Sequence, residues 1–384
     1  MTMGSPAALG ARLRGWIPDL LLAAATAAVG IALRLRVLPY SLVSDDSMGP
    51  FLTAYGMTRE GTWIPEPHAV PFGPALYWSH AALMAGASSL EDVFLRRAVI
   101  QALAAVVIYL ALRWVLGPDT PRQTAVSVSI RSPWPARLGA VAAAVALTCS
   151  SGLLMTLQSS FEMYQAPVLA SGMTAAVVMV ILGERHRWLL LALALLPLAV
   201  MIHPFSVAYG PGLLLVCVWV WRRGKPVLAV ASAALAGVGF IPRLLQMRRI
   251  KGDEDQMGFA AVTEDVQGTA FGDDSSVVVL FRSTVEAFVT REPPPLGPAL
   301  LLAPIVVLVL LAWLSRSNWL PQGCLPPDGR TGALGRLAIW SWVNILSLLV
   351  TGFAIGYLQP YHWRVLMPVL AVQLGLVVYL LTLV

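Results

Sequence analysis

The 384-residue sequence has few charged residues and few cysteines. Only 12% of its residues are charged, whereas a soluble domain carries roughly 25%. The three cysteines lie far apart, at Cys149, Cys217 and Cys324, which argues against a disulfide framework and against a cysteine-rich metal site. With 58% hydrophobic residues and a mean hydropathy of +0.74, the composition indicates an all-α polytopic membrane protein rather than a soluble fold.

The sequence also lacks the short motifs of several enzyme classes. It contains no Walker-type phosphate loop, no GxGxxG after a strand, no HExxH and no GxSxG. Its net charge of +6 does not indicate nucleic acid as a partner. The basic residues are spread along the chain and lie mainly at the ends of predicted helices, where the positive-inside rule places them. No glycine-rich linker divides the chain, so residues 1–384 are predicted to form a single integral membrane domain.

Apolar runs predict ten transmembrane helices. The predicted ranges are 17–38, 94–116, 137–157, 166–182, 188–202, 205–223, 226–242, 298–315, 337–357 and 364–384. Several of them are short for a span of about 20 residues. The run 72–87 is apolar, shorter still and contains His80, so it is predicted to be a re-entrant or interfacial helix.

The distribution of charge predicts the orientation. The predicted inner loops hold most of the basic residues, including the turn 222–225, and the predicted outer loops hold most of the acids. We therefore expect a multi-pass protein of the plasma (inner) membrane with both termini cytoplasmic. Two larger loops, 39–93 and 243–297, then lie on the extracytoplasmic face, and the second is predicted to contain a surface helix that ends at the prolines 293–295.

The first of these loops carries adjacent carboxylates, Asp45 and Asp46, shortly after the first predicted helix. Two acids so close to a bilayer are costly unless they are solvated, paired or used. A carboxylate within hydrogen-bond reach of an acceptor hydroxyl removes its proton as the new bond forms. The alternative interpretation is a solvated pair that caps a helix, since aspartate is a favourable capping residue.

The order of segments around this pair resembles the GT-C glycosyltransferases, which include the protein O-mannosyltransferases and the lipid A aminoarabinose transferases. The resemblance is carried by SDDSMGPFLTAYGMTREGTWIPEP, then VPFGPALYWSHAALMAGASS, then VFLRRAVIQALAAVVIYLALRW. It implies a polyprenyl-phosphate sugar donor, with a glycan, lipid or protein as the acceptor on the extracytoplasmic face. It also implies Asp45 as the general base and Asp46 as its neighbour, which orients the acceptor or contacts a divalent metal where one is used.

The resemblance implies further substrate-binding positions. Glu162 lies in a short predicted outer loop, where it would position hydroxyls of the donor sugar or the acceptor. His203 stands where related enzymes often have lysine near the lipid phosphate. His362 and Arg364, both in PYHWRVLMP, are predicted to bind substrate. Arg364 is suited to a phosphate leaving group because guanidinium stays charged and donates several hydrogen bonds. The alternatives are a solvated glutamate, a helix-capping histidine and an interfacial anchor of Trp, Tyr and Arg.

Arg96 and Arg97 lie at the predicted outer start of the second helix, against the positive-inside trend. Phosphate of the donor or anionic lipid headgroups would explain them equally well. The sequence identifies no cofactor, and a divalent metal at the site is left open as an alternative.

A transporter or lipid-carrier flippase is the alternative from another functional class. Such a protein needs polar residues along the middles of its helices, and Asn344 is the clearest example here. A membrane scaffold without activity is a third reading. Because the charges gather at predicted outer helix ends, the sequence favours the glycosyltransferase.

Overall fold

The protein is all-helical throughout the part of the chain that the structure describes. This computed structural model describes residues 6–37, 45–64, 73–117, 133–151, 153–154, 165–250, 276–316, 330–355, 358 and 360–383. The α-helices are α1 (Pro6–Val37), α2 (Asp45–Glu60), α3 (Pro74–Met84), α4 (Leu90–Leu116), α5 (Trp134–Cys149), α6 (Gln165–Ile181), α7 (Trp188–Ile202), α8 (Tyr209–Arg222), α9 (Pro226–Gly239), α10 (Ile241–Ile250), α11 (Ser276–Val285), α12 (Leu296–Arg316), α13 (Arg330–Ile355) and α14 (Met367–Leu381). Short 3-10 helices cover Pro204–Ala208 and Pro360–Leu366, and a π-helical turn covers Glu286–Thr290.

Within the described ranges, seven helical segments are long and apolar enough to cross a membrane. They are Trp16–Val37, Leu90–Leu116, Pro204–Arg222, Pro226–Arg248, Leu296–Arg316, Thr331–Ala354 and His362–Leu381. The other three predicted spans coincide with the shorter apolar helices α5, α6 and α7, of 16, 17 and 15 residues. The membrane-protein fold class is thus confirmed, and the full number of ten spans stays a prediction.

The two larger loops contain helices of their own. The loop 39–93 includes α2 and α3, and α4 begins at Leu90 behind the N-cap Ser89, whose Oγ accepts from the backbone N of Asp92 at 3.2 Å. The helix α3 has 11 residues, too few for a span. In the loop 243–297, α10 extends to Ile250, and α11 with the π-helical turn occupies the predicted surface helix. The acids between Asp253 and Asp274 lie outside the described residues.

Small residues allow a very close helix contact within the core. The strongest packing pairs join α5 to α14, α6 to α7, and α1 to α4. Where α5 meets α14, a Cβ added to Gly139 would lie 2.7 Å from the carbonyl oxygen of Gly375. Backbones can approach so closely only where side chains are absent, which is how transmembrane helices gain packing contacts in lipid.

A buried ionic cluster joins three helices at one end of the bundle. Asp19 Oδ1 of α1 accepts from Arg113 Nε of α4 at 2.8 Å and from Arg137 Nε of α5 at 2.9 Å. The hydroxyl of Tyr109 donates to the same oxygen at 3.1 Å. The sequence had placed the two arginines in predicted inner loops and Asp19 within the first helix. The ion pairs bring these positions together at the same end of the bundle.

Candidate functional site

Two histidines and an arginine from distant parts of the sequence come together in a buried group, which we call the His–Arg cluster: His203, Phe205, His362 and Arg364. The ring of Phe205 stacks on that of His362, with centroids 3.7 Å apart. The centroids of His203 and His362 are 5.5 Å apart. Arg364 follows two residues later and is itself buried. Three of the predicted site residues therefore share one place.

The backbone of each segment fixes this arrangement. His203 ends α7 in an extended conformation and donates its backbone N–H to Ala199 O at 2.8 Å. Pro204 then starts the 3-10 turn that carries Phe205. The hydroxyl of Tyr209, at the start of α8, donates to Val365 O at 3.0 Å, which ties this turn to the segment Pro360–Leu366.

The His–Arg cluster combines an uncharged histidine with a charged arginine. Burial, together with the nearby charge of Arg364, lowers the pKa of His203 to about 3. His203 is therefore neutral at physiological pH, and its Nδ1 finds no hydrogen-bond partner among the described residues. The positive charge at this place comes from Arg364, because a guanidinium stays protonated in proteins.

The first loop is attached directly beside this cluster. The backbone N–H of Gly73, at the N-cap of α3, donates to Met201 O at 2.6 Å, two residues before His203. The contact requires glycine, since a Cβ at residue 73 would lie 2.5 Å from Met201 Cγ. The helix α3 therefore packs against the end of α7, and residue 73 is fixed by close approach rather than by an unusual φ angle.

We expect Gly73→Ala to destabilise the protein by about 1–3 kcal/mol, the usual cost of forcing extra atoms into a packed contact. The measurement is unfolding in detergent micelles with increasing denaturant. Gly56→Ala, in α2 of the same loop, is the matched control because a Cβ there meets nothing within 4 Å. If Gly73→Ala unfolds at the same denaturant concentration as the unaltered protein, the contact with Met201 does not hold α3 in place.

The acid pair begins the helix that packs on α3. Asp45 and Asp46 are the first two residues of α2, and their side chains lie outside what the structure describes. Six residues after Asp45, Phe51 contacts the ring of His80 in α3 edge to face, with centroids 4.5 Å apart. A continuous series of contacts thus runs from α2 through α3 to the end of α7 and His203.

The contact between α3 and the start of α4 contains a buried histidine and a buried cation. His80 Nδ1 donates to Leu76 O at 2.8 Å. Burial, and secondarily the charge of Arg97, lowers the pKa of His80 to about 4, so it is neutral at physiological pH. The guanidinium carbon of Arg97 lies 5.3 Å from the ring centroid of Phe94, and this side chain is fully buried.

The structure gives Arg96 a different environment from its neighbour. Its guanidinium donates to Leu83 O at 2.8 Å, to Ala85 O at 2.6 Å and to Gly86 O at 3.0 Å. These carbonyls belong to the end of α3 and the turn that follows, where a helix leaves acceptors unsatisfied. Arg96 therefore stabilises the C-terminal end of α3.

The remaining predicted ligands are Glu162 and a divalent metal. Glu162 lies outside the described residues. Within the described ranges, no group of three or more His, Cys, Asp or Glu side chains is placed to hold a metal ion.

The structure also reveals buried ionisable residues that the sequence did not single out. Glu292 accepts from Ser150 Oγ at 2.7 Å and from the backbone N of Ser151 at 2.9 Å, so it ties the end of α5 to the segment before α12. Arg34 in α1 donates from Nε to Gln101 Oε1 at 3.0 Å. A glutamate directly before a proline run and an arginine inside an apolar run are the sequence signals that could have drawn attention to them.

A scan against models of known protein families finds no match to this chain, and a search among curated proteins finds none. Two solved structures are similar to it: ArnT from Cupriavidus metallidurans bound to undecaprenyl phosphate, and the same protein in the apo state. Each has a TM-score of 0.44 and 15% sequence identity, and the alignment covers 96% of this chain and 77% of that one.

Proposed function

We propose that this chain is an integral membrane glycosyltransferase that moves a sugar from a polyprenyl-phosphate donor to a glycan, lipid or protein acceptor on the extracytoplasmic face. The observation that carries the proposal is the convergence of His203, His362 and Arg364 in one buried cluster beside the attachment point of the first loop. The resemblance of the segment order to GT-C enzymes supports the same reading.

In this proposal the two halves of the reaction use different parts of the site. Asp45 removes the proton of the acceptor as the acceptor attacks the anomeric carbon, and Asp46 orients the acceptor. The bond from the anomeric carbon to the phosphate oxygen breaks, and a single direct displacement inverts the configuration. The departing polyprenyl phosphate gains negative charge, which a preorganised cation and hydrogen-bond donors stabilise.

The cluster supplies groups of the required kind for that phosphate. Arg364 offers a permanent charge and several N–H donors. His203 offers a neutral imidazole whose Nδ1 finds no partner among the described residues. Arg96 and Arg97 are both proposed to contact the donor phosphate, and Arg96 also donates to carbonyls at the C-terminal end of α3. Glu162 remains the proposed contact to the donor sugar.

The experiment is a transfer assay with the protein in lipid nanodiscs, comparing the unaltered chain with Asp45→Asn. Radiolabelled polyprenyl-phosphate sugars are offered with a membrane extract as the source of acceptor. We expect Asp45→Asn to lose about 10²-fold or more of the transfer rate, the scale of a lost general base. Glu60→Gln is the control, since it removes an exposed acid from the other end of α2.

Other outcomes redirect the assignment. Equal transfer by the unaltered chain and Asp45→Asn moves the base to Asp46 or Glu162. Movement of the lipid-linked sugar across vesicle membranes without any sugar transfer contradicts the proposal and establishes the flippase.

A further inference from the structure

We propose that an anionic glycerophospholipid binds at the turn between α8 and α9. Its headgroup phosphate contacts the basic residues of the turn, and one acyl chain lies in an apolar groove between α7 and α9. We call this place the RRGK groove, after Arg222, Arg223, Gly224 and Lys225. It lies at the opposite end of α8 from the His–Arg cluster, about 20 Å away for a helix of 14 residues. Lipid binding at this groove is therefore independent of the proposed glycosyltransferase function.

The groove has the size and lining of a site for an apolar ligand. Its volume is about 370 Å³, within the range of about 300–1,000 Å³ typical of ligand pockets. Its walls are apolar side chains of α7 and α9, and its rim is the turn itself. The lining residues are Leu190, Gly224, Lys225, Pro226, Val227, Leu228 and Ala231.

The turn holds its cations outward in a defined conformation. Gly224 has a φ of +74°, a conformation that other residues rarely adopt. The backbone N of Arg223 donates to Trp219 O at 3.1 Å, and that of Lys225 to Val220 O at 3.3 Å. All residues of the turn are exposed. Lys225 lines the groove, and Arg222 and Arg223 precede it in the same exposed turn.

Aromatic and basic side chains continue this surface onto α13. The guanidinium carbon of Arg223 lies 5.4 Å from the ring centroid of Trp219, and that of Arg336 lies 5.0 Å from it. The ring of His186 meets the same indole edge to face. Glu184 is the described acid whose charge acts on Arg336. The basic excess favours an anionic partner, and tryptophan, like tyrosine, is enriched at the headgroup level of membrane proteins.

The chemistry of the two parts identifies a single kind of ligand. An apolar groove alone would accept any acyl chain, and the basic turn alone would accept any phosphate. Their adjacency selects a molecule in which a phosphate and a hydrocarbon chain are joined, which is a phospholipid with net negative charge. The orientation predicted from charge places this turn on the cytoplasmic side, where anionic lipids attract basic segments.

The test is native mass spectrometry of the full chain in detergent, titrated with phosphatidylglycerol, phosphatidylcholine or glycerol phosphate. We expect phosphatidylglycerol to be retained at least tenfold more tightly than phosphatidylcholine, and glycerol phosphate not to be retained. Equal retention of the two lipids would overturn the proposal, as would binding of glycerol phosphate as tight as that of phosphatidylglycerol.

Two variants separate the headgroup from the chain. The double variant Arg223→Gln with Lys225→Gln should weaken the binding of phosphatidylglycerol about 30-fold, because each of the two cations is expected to contribute one contact to the headgroup. Ala231→Phe places a large side chain in the groove from an exposed position and should weaken the binding of both phosphatidylglycerol and phosphatidylcholine. Arg316→Gln, at an exposed position at the end of α12, is the control and should change neither. Retention of phosphatidylglycerol unchanged in both groove variants would place the lipid elsewhere.

Discussion

Asp19→Ala is expected to lower the free energy of unfolding by about 3–5 kcal/mol, because it leaves Arg113 and Arg137 as buried cations without their shared carboxylate. Asp19 is fully buried, and its Oδ1 accepts from both arginines and from Tyr109. Removing one partner of a buried ion pair costs far more than the pair contributes, since the remaining charge stays desolvated. The measurement is denaturant unfolding in micelles, followed by tryptophan fluorescence.

Two further variants test this explanation. Tyr109→Phe removes one hydrogen bond to Asp19 and should cost about 1 kcal/mol. The triple variant Asp19→Ala, Arg113→Met, Arg137→Met removes the stranded charges and should regain most of the lost stability. If Asp19→Ala unfolds at the same denaturant concentration as the unaltered protein, the two guanidiniums reach water or headgroups by extending along their methylene stems.

The helices could be predicted from the sequence, whereas the ion pairs of Asp19 could not. An apolar run of about 20 residues indicates a helix by itself, because a backbone in hydrocarbon has to satisfy its own hydrogen bonds. The run around Asp19 reveals an acid inside a helix, but its partners are 90 or more residues away, in α4 and at the start of α5. Which helix packs against which decides the pairing, and that information is not local.

The arginine pair shows the same limit within one helix. Arg96 and Arg97 are adjacent, so the sequence predicted one role for both. Successive residues of a helix point about 100° apart, and the structure accordingly gives them different surroundings. Arg96 donates to three carbonyls at the end of α3 and in the turn that follows it. Arg97 is buried against Phe94 next to His80.

The residues of the candidate site could be predicted from the sequence, but the contacts between them could not. The sequence placed His203, His362 and Arg364 at predicted helix ends on the same side. It did not predict that Phe205 would stack on His362, or that Gly73 would dock on Met201 and bring the first loop against the end of α7. Both contacts join residues more than 120 positions apart in the chain, so no local pattern encodes them.

Arg364→Gln is expected to lower kcat of sugar transfer by about 10²–10³-fold with a smaller change in KM, the scale of removing one preorganised donor from a developing anion. The physical reason is that the proposed phosphate leaving group gains charge in the transition state. An interaction that strengthens only then affects kcat rather than ground-state binding. The measurement is a full kinetic analysis in nanodiscs with the same polyprenyl-phosphate donors.

The conservative variant and a distant control complete this test. Arg364→Lys keeps the charge but loses the planar fork of donors, so it should recover part of the rate. Arg316→Gln removes an exposed arginine at the end of α12 and should leave kcat and KM unchanged. A rise in KM alone for Arg364→Gln would mean that the guanidinium anchors the donor equally before and during reaction. Unchanged kinetics would remove Arg364 from the proposed site and leave Arg96 and Arg97 as the candidates to stabilise the charge of the leaving phosphate.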